Sequence, residues 1–150
     1  MLIPGISGGG TPRGADYLEV SSWSWGEHGN IGSQSSGSGA GKITFNPFSI
    51  TREIDKASPI LWQASATGKR FATVTFYMDP PASSVGAPGG DRMKLTLINA
   101  VISAISISSG GDNPSESVSF NYTKITMEYT AQGSNSSVTF GWDLATNKTI

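Results

Sequence analysis

The sequence predicts a mainly β protein: a closed antiparallel β-barrel or sandwich of two sheets with one short flanking α-helix. Two observations carry that expectation. The first is a pair of long alternating arms, Arg92–Ser108 and residues 115–131, joined by the turn Ser109-Gly-Gly-Asp-Asn-Pro114. Met93, Leu95 and Leu97 point to one face while Arg92, Lys94 and Thr96 point to the other. This period of two marks a strand, because successive side chains leave opposite faces of the pleat. Glycines in the turn permit positive φ, and Pro114 removes a ladder donor. The second observation is a change of phase. Val118, Phe120 and Tyr122 fall on even positions, but Ile125, Met127, Tyr129 and Ala131 fall on odd ones. A one-residue slip turns a core face outward, so a bulge, or a strand bending from one sheet into another, must absorb it. From Ile98 to Ile105 both faces of the first arm are apolar or small, which predicts cover on both sides.

The remaining elements follow in chain order. Leu2 to Ile6 reads as a short strand, ended by Gly8-Gly-Gly10 and Pro12. Tyr17 to Trp25 reads as a second strand: Leu18 and Val20 share a face, then Ser21-Ser22 shifts the phase so that Trp23 and Trp25 lead. Glu27 to Lys42 is a connector whose residues 31–41 hold four Gly and four Ser, a composition that stays flexible unless function orders it. Ile43 and Phe45, then Phe48 and Ile50 to Ile54, give strand signals interrupted by Pro47. Ser58 to Thr67 is the one convincing helix, with Ser58 as N-cap, Pro59 at the first helical position and Gly68 just past the end. Ile60, Leu61 and Ala64 form its apolar stripe, with Trp62 on a flank. Phe71 to Met78 is a strand with Val74, Phe76 and Met78 inward. Residues 80–90 form a second loop rich in Pro, Gly and Ser. Val138 to Leu144 is the last strand, with four apolar residues on one face. The count is seven or eight strands and one helix in a single domain over residues 1–150.

Composition narrows the functional classes. A chain of 150 residues can bury a real core. Charged residues make up only 14%, with ten basic residues scattered among eleven acidic ones for a net charge of −1. That excludes the clustered basic surface a nucleic acid requires. The absence of cysteine excludes a disulfide framework and a thiolate metal site. No apolar run reaches the length of a membrane span, and the first residues lack the basic start and apolar core of a signal peptide. Export, if it occurs, is expected by a route other than a cleaved signal.

Catalytic chemistry finds little to stand on. Ser36-Gly-Ser-Gly-Ala-Gly-Lys-Ile43 imitates a phosphate-binding loop, but Ser36 replaces the first Gly, Ile43 replaces the metal-holding Ser/Thr, and a strand follows where a helix is needed. His28 is the sole histidine, without a second nitrogen ligand, and reads as a solvent-facing loop residue. Glu53 and Asp55 sit two apart like a carboxylate pair, yet nothing indicates a cleft; a solvated face, or pairing with Arg52, Lys56 and Lys69, is the simpler account. Asn121, Asn135 and Asn147 match the glycosylation sequon without a secretory context. Trp23, Trp25 and Trp142 lie in alternating strands, where a core or interface role outranks sugar stacking. The expectation is no enzyme, no cofactor and no metal.

Several segments together resemble the Hcp family, the tube protein of the bacterial type VI secretion system. They are Leu18-Glu-Val-Ser-Ser-Trp-Ser-Trp-Gly26, Gly39-Ala-Gly-Lys42, Ile54-Asp-Lys-Ala-Ser-Pro59, Ala66-Thr-Gly-Lys69, Ile102–Gly111, Glu116-Ser-Val-Ser-Phe-Asn-Tyr-Thr-Lys-Ile125 and Gly141-Trp-Asp143 with Asn147-Lys148. They keep the family's order across nearly the whole chain. Leu2-Ile-Pro-Gly-Ile6 fits more loosely, and the loop at 80–90 and the tail after Ala131 look individual. The resemblance implies a two-sheet barrel with a flanking helix, assembled into a homohexameric ring. Rings stack into a hollow tube that a sheath propels; baseplate or spike proteins and small effector cargo are the further partners. The subunit is assembled in the cytoplasm and then secreted. By the same resemblance, Trp23, Trp25, Ser33, Ser36, Gly39, Lys42, Asp112 and Asn113 fall at subunit or ring contacts, and the segment 29–42 reaches a neighbouring ring.

Three other readings compete. One is a tail-tube subunit of a phage or extracellular contractile particle. Another is a monomeric carbohydrate-binding module presenting Trp23, Trp25 or Trp62. The last is an enzyme built on His28.

Overall fold

Tight alternation in the two long arms produces the feature around which everything else packs. The structure, a computed structural model, describes residues 1–29, 43–78 and 92–150. β6 (Arg92–Ser108) is answered by β7 (Ser115–Asn121) and β8 (Lys124–Thr130). β7 and β8 are two halves of one antiparallel arm. Val101 lies opposite Asn121 and Ile98 opposite Lys124, with the Thr123 N–H donating to the Ile98 carbonyl (3.0 Å) across the break.

The expected phase change is present, and it occurs on both arms at the same level. On β6 the buried positions run Leu95, Leu97 and then Ala100, Ile102; on the other arm they run Val118, Phe120, Tyr122 and then Ile125. Asn99 absorbs the slip on β6 with φ of 54°, a left-handed conformation that Asn tolerates better than most residues. A register irregularity follows between Ile102 and Ala104. The hairpin therefore bends there.

Other strands fill the edges of this bent hairpin. β4 (Phe48–Glu53) pairs with β7, setting Phe48 opposite Phe120 and Ile50 opposite Val118, and β1 (Ser22–Ser24) edges β4. β5 (Arg70–Met78) takes the other edge of β6, with Val74 opposite Leu97 and Phe76 opposite Leu95. β9 (Ser137–Asp143) pairs with β8, and β10 (Lys148–Thr149) with β9. β2 (Glu27–Gly29) and β3 (Ile43–Phe45) form a separate two-stranded ribbon.

The expectation of a closed barrel needs correction. The main sheet is a strongly curled half-barrel, because β1 and β5 do not pair. The seam between them is lined by the start of the chain. Leu2 and Thr75 exchange both backbone hydrogen bonds (2.7 and 2.9 Å), and the Leu18 N–H donates to the Met1 carbonyl (2.7 Å). These remain isolated bridges, not the expected strand over Leu2 to Ile6. Pro4 has no N–H, and Gly5 (φ 80°) turns the chain so that the Ile6 N–H reaches Ile3. Likewise only Ser22–Ser24 of the expected Tyr17 to Trp25 strand joins the sheet.

The helix α1 (Ser58–Ala66) packs Leu61 and Ala64 into the core. It ends as expected: Gly68 takes φ 61°, its N–H donates to Ser65 O and the Lys69 N–H to Ala64 O, which satisfies two orphan carbonyls. Its start differs. Ala57 is the N-cap and Ser58 the first helical residue, because Asp55 Oδ1 accepts the Ala57 N–H (2.8 Å) and the Ser58 hydroxyl turns inward.

Three inward assignments also fail: Ile60, Met78 and Val138 are exposed. Each lies beyond the reach of the core, although its parity or stripe is apolar. In the middle of β6 Ala100 and Ile102 are buried, Ile98, Val101 and Ile105 are half-buried and Ala104 is exposed, so the expected cover on both sides is only partial.

Candidate functional site

The ribbon base is held by aromatic side chains that its own flanks supply. Trp25, just before β2, stacks on Phe45 of β3 (5.8 Å between centroids, 17° between planes), and Phe45 leans on Trp142 of β9 (6.2 Å). The Trp25 indole N–H donates to the Tyr122 hydroxyl (2.5 Å). That hydroxyl in turn donates to the Asn46 carbonyl (2.9 Å), just past β3. Asn46 N–H closes the set by donating to Gly26 O (2.9 Å). Burial pushes the Tyr122 phenol above its ordinary value, outweighing the opposing effect of the Trp25 hydrogen bond. The phenol is thus a neutral donor at physiological pH.

A second cluster joins β4, β7 and α1. Arg52 and Glu116 are cross-strand partners, and both are buried. Arg52 donates to Glu116 Oε1 (2.5 Å) and, through its other terminal nitrogen, to Asp55 Oδ2 (2.6 Å). Ser58 Oγ also donates to Glu116 Oε1 (2.9 Å), while Gly9 N–H donates to Asp55 Oδ2 (2.8 Å) and ties down the chain start. Burial alone raises the Asp55 pKa, but hydrogen bonds from Arg52, Gly9 and Ala57 outweigh it, so the carboxyl sits below its ordinary value. Asp143 is lowered as well, by Lys124 (3.0 Å) and then by the Thr146 N–H.

None of this makes a catalytic centre. The Ser58–Glu116 contact is buried and has no histidine beside it. His28 lies exposed on β2 opposite Thr44. Asp55 takes the pairing with Arg52 that the charge spacing suggested, whereas Glu53 is exposed at the end of β4. Among the described residues, no group of three His, Asp or Glu side chains converges as a metal site. No helix among them is long and apolar enough to cross a membrane.

The contact residues that the resemblance implied divide into three groups. Trp23 packs against Phe48 (6.0 Å) and Phe76 (5.4 Å) with part of its ring exposed. Trp25 is half-buried in the ribbon base. Asp112 and Asn113 are exposed at the hairpin tip, where Ser109 Oγ donates to Asp112 O (3.3 Å). Ser33, Ser36, Gly39 and Lys42 lie outside the described residues, as does most of the phosphate-loop imitation; the strand expected after it is β3.

Sequence reasoning missed Glu116, the burial of Arg52, and the Tyr122–Asn46 relay. The first two carried a readable signal: Arg52 continues the inward parity of Phe48 and Ile50, and Glu116 that of Val118 and Phe120. Nothing local announces the relay.

Comparison with known proteins agrees with this architecture. The family profile described as "Type VI secretion system effector, Hcp" matches residues 1–129. "Protein hcp1" of Pseudomonas aeruginosa is 27% identical over 117 residues, covering 71% of this chain and 68% of that protein. The crystal structure of Hcp1 from Salmonella typhimurium aligns with a TM-score of 0.78 at 27% identity, over 99% of this chain and 95% of that one. A structure described as a type six secretion system protein aligns at 0.82 and 25% identity, over 99% and 96%. A β-rich half-barrel with one helix, matched over this length, places the chain in a family: it belongs to the Hcp family of type VI secretion system proteins.

Proposed function

We propose that this chain is the inner-tube subunit of a type VI secretion system. Six copies close into a ring, rings stack into a hollow tube, and the tube is driven out by a sheath with baseplate or spike proteins at its end and small effectors as cargo. The subunit is assembled in the cytoplasm and leaves with the tube. The family match across residues 1–129 carries this reading.

Physical features of the surface support it. Met78, Met93, Tyr129 and Val138 are successive cross-strand partners on β5, β6, β8 and β9. They form an apolar row whose outer members, Met78 and Val138, are exposed at 39% and 76%. A head-to-tail neighbour would cover the exposed ends of such a row and close a ring. The low charge density of the chain suits a surface largely enclosed between subunits. In this reading Trp23, Asp112 and Asn113 lie at subunit contacts, and residues 29–42 reach the next ring.

Light scattering on the chromatographic peak, followed by negative-stain imaging, tests it. The expected result is a mass near six chains and rings with a central hole. A monomer that neither rings nor stacks at any concentration, even with baseplate proteins added, sinks it. Deleting Ser33–Gly39 is expected to leave ring mass intact and to abolish stacking.

A further inference from the structure

On the β7 side of the bend, β1, β4, β7 and the second half of β6 lie side by side in the order β1-β4-β7-β6. Phe48, Ile50, Val118 and Phe120 fill the inner side of these strands, so the alternate positions turn outward. Cross-strand register sets the outward residues in rows. Ser22, Thr51, Ser117 and Ser106 make the central row, one residue from each strand. Ser24, Ser49 and Ser119 make the row on one side, and Ser115 with Ser108 the row on the other. Each of these positions carries a hydroxyl. Ala104, opposite Ser119, and Glu53, opposite Ser115, stand at the corners.

The hydroxyls are partly spent on one another. Those of Ser49 and Ser119 are hydrogen-bonded (2.8 Å), and Ser103 Oγ donates to the Ser119 carbonyl (3.2 Å). In the central row Ser22, Ser117 and Ser106 are exposed and Thr51 is half-buried. Past the bend the same side of the sheet changes character. There Lys94 of β6 faces Glu128 of β8, with 3.7 Å between their charged groups.

Such a face fits neither of the two usual outer surfaces. Subunit contacts are depleted of Ser and enriched in aromatic residues and Met, the character of the row from Met78 to Val138. Surfaces that meet bulk water mix charges of both signs, as at Lys94 and Glu128. A channel wall has a different requirement. In a ring of six, one charge per subunit becomes a belt of six, repeated at every ring, which traps cargo of one sign and repels the other. Passage needs weak holding at every step. Short hydroxyls, wetted and bonded to one another, supply that.

We propose that the hydroxyl face of β1, β4, β7 and β6 lines the bore of the tube and passes protein cargo of either charge. This rests on the tube-subunit reading and adds to it which face of the subunit turns inward.

The chain contains no cysteine, so Ser117→Cys gives each subunit a single thiol; Ser106→Cys, one strand over, is the second probe. Both are made in the full chain, labelled as rings with a monomaleimide gold cluster, and imaged end on. The expected result is unchanged ring mass and gold inside the central hole in both variants. Gold at the outer rim overturns the proposal. Loss of rings in both variants, with their unfolding midpoints unchanged, makes the face a subunit contact and also overturns it. Charge is tested with fluorescent oligoglutamate and oligolysine. Unaltered rings are expected to retain the two equally, and Ser117→Lys rings to keep their mass and retain about tenfold more oligoglutamate, an excess lost at high salt. Severalfold preference for either peptide in unaltered rings overturns the neutral wall. If the unaltered protein forms no rings, the tube-subunit reading falls and this proposal with it. Rings with gold outside the hole sink this proposal alone.

Discussion

Two regions of the same curled face break the usual pattern in opposite directions. Where β4 meets β7, the inward positions Arg52 and Glu116 are charged and almost wholly enclosed, at 1% and 0% exposure. Across the far ends of β5, β6, β8 and β9, the inward positions Met78, Tyr129 and Val138 are apolar and open. Parity decides which face of a sheet a side chain leaves; it does not decide whether anything lies over it. At the first region α1 and the chain start close over the sheet, with Ser58 on Glu116 and Gly9 on Asp55. At the second, Met78 and Val138 keep 39% and 76% of their surface exposed. Enclosure is thus set by the cover and not by parity.

Removing one partner of the enclosed ion pair tests that contrast most severely. Glu116→Ala leaves the Arg52 guanidinium buried beside a single carboxylate and is expected to cost about 3–5 kcal/mol in urea unfolding at fixed protein concentration. The double variant Arg52→Met with Glu116→Leu is expected to recover most of that loss, because an apolar pair avoids desolvating two charges. If the double variant is as unstable as the single one, the cluster does more than satisfy its own charges.

The cover itself is the next target. A Cβ on Gly8 meets Asp55 Oδ2 at 2.5 Å and Leu18 Cδ2 at 2.7 Å, so Gly8→Ala forces the chain start off the cluster. Its expected cost is about 1–3 kcal/mol by thermal unfolding, with faster amide exchange over residues 7–10 and little change in β8 and β9.

Acid should loosen the same region first. Asp55 binds its proton less tightly folded than unfolded. Stability from this group is therefore complete above about pH 4 and is lost as pH falls through that value and below. Asp55→Asn is expected to flatten the acid limb of the stability profile; an unchanged limb would assign it to Asp143 or other carboxylates.

The smallest effect belongs to the open row. Val138→Ser is expected to shift the stability of dissociated subunits by less than about 0.5 kcal/mol, as for an exposed position, while lowering the fraction of rings in dilute solution. Equal stability and unchanged rings would leave the row without a partner.

Much of this was legible beforehand. Alternation in Arg92–Ser108 and after Pro114 gave the long hairpin, the even-to-odd change after Tyr122 gave its bend, and Gly68 gave the end of α1. These depend on backbone geometry and nearest neighbours, which a linear pattern records. Closure was overestimated for a physical reason: strand signals say that a segment is extended, not that its edge meets another. Pro4 and Gly5 then limit the seam to single bridges. Met78 and Val138 were misplaced because alternation carries no information about depth.

The sequence by itself determined the strand periodicity, the bend, the helix and its stop, and a family likeness spread across the chain in order. Only the tertiary structure decided that Arg52 pairs with Glu116, that Asp55 holds Gly9, and that Trp25 and Asn46 meet on one Tyr122 hydroxyl. Those contacts join residues 46 to 97 positions apart. Their strength comes from directional hydrogen bonds in an enclosed, low-dielectric setting, and that setting exists only once the sheet has curled and the helix and chain start have closed over it.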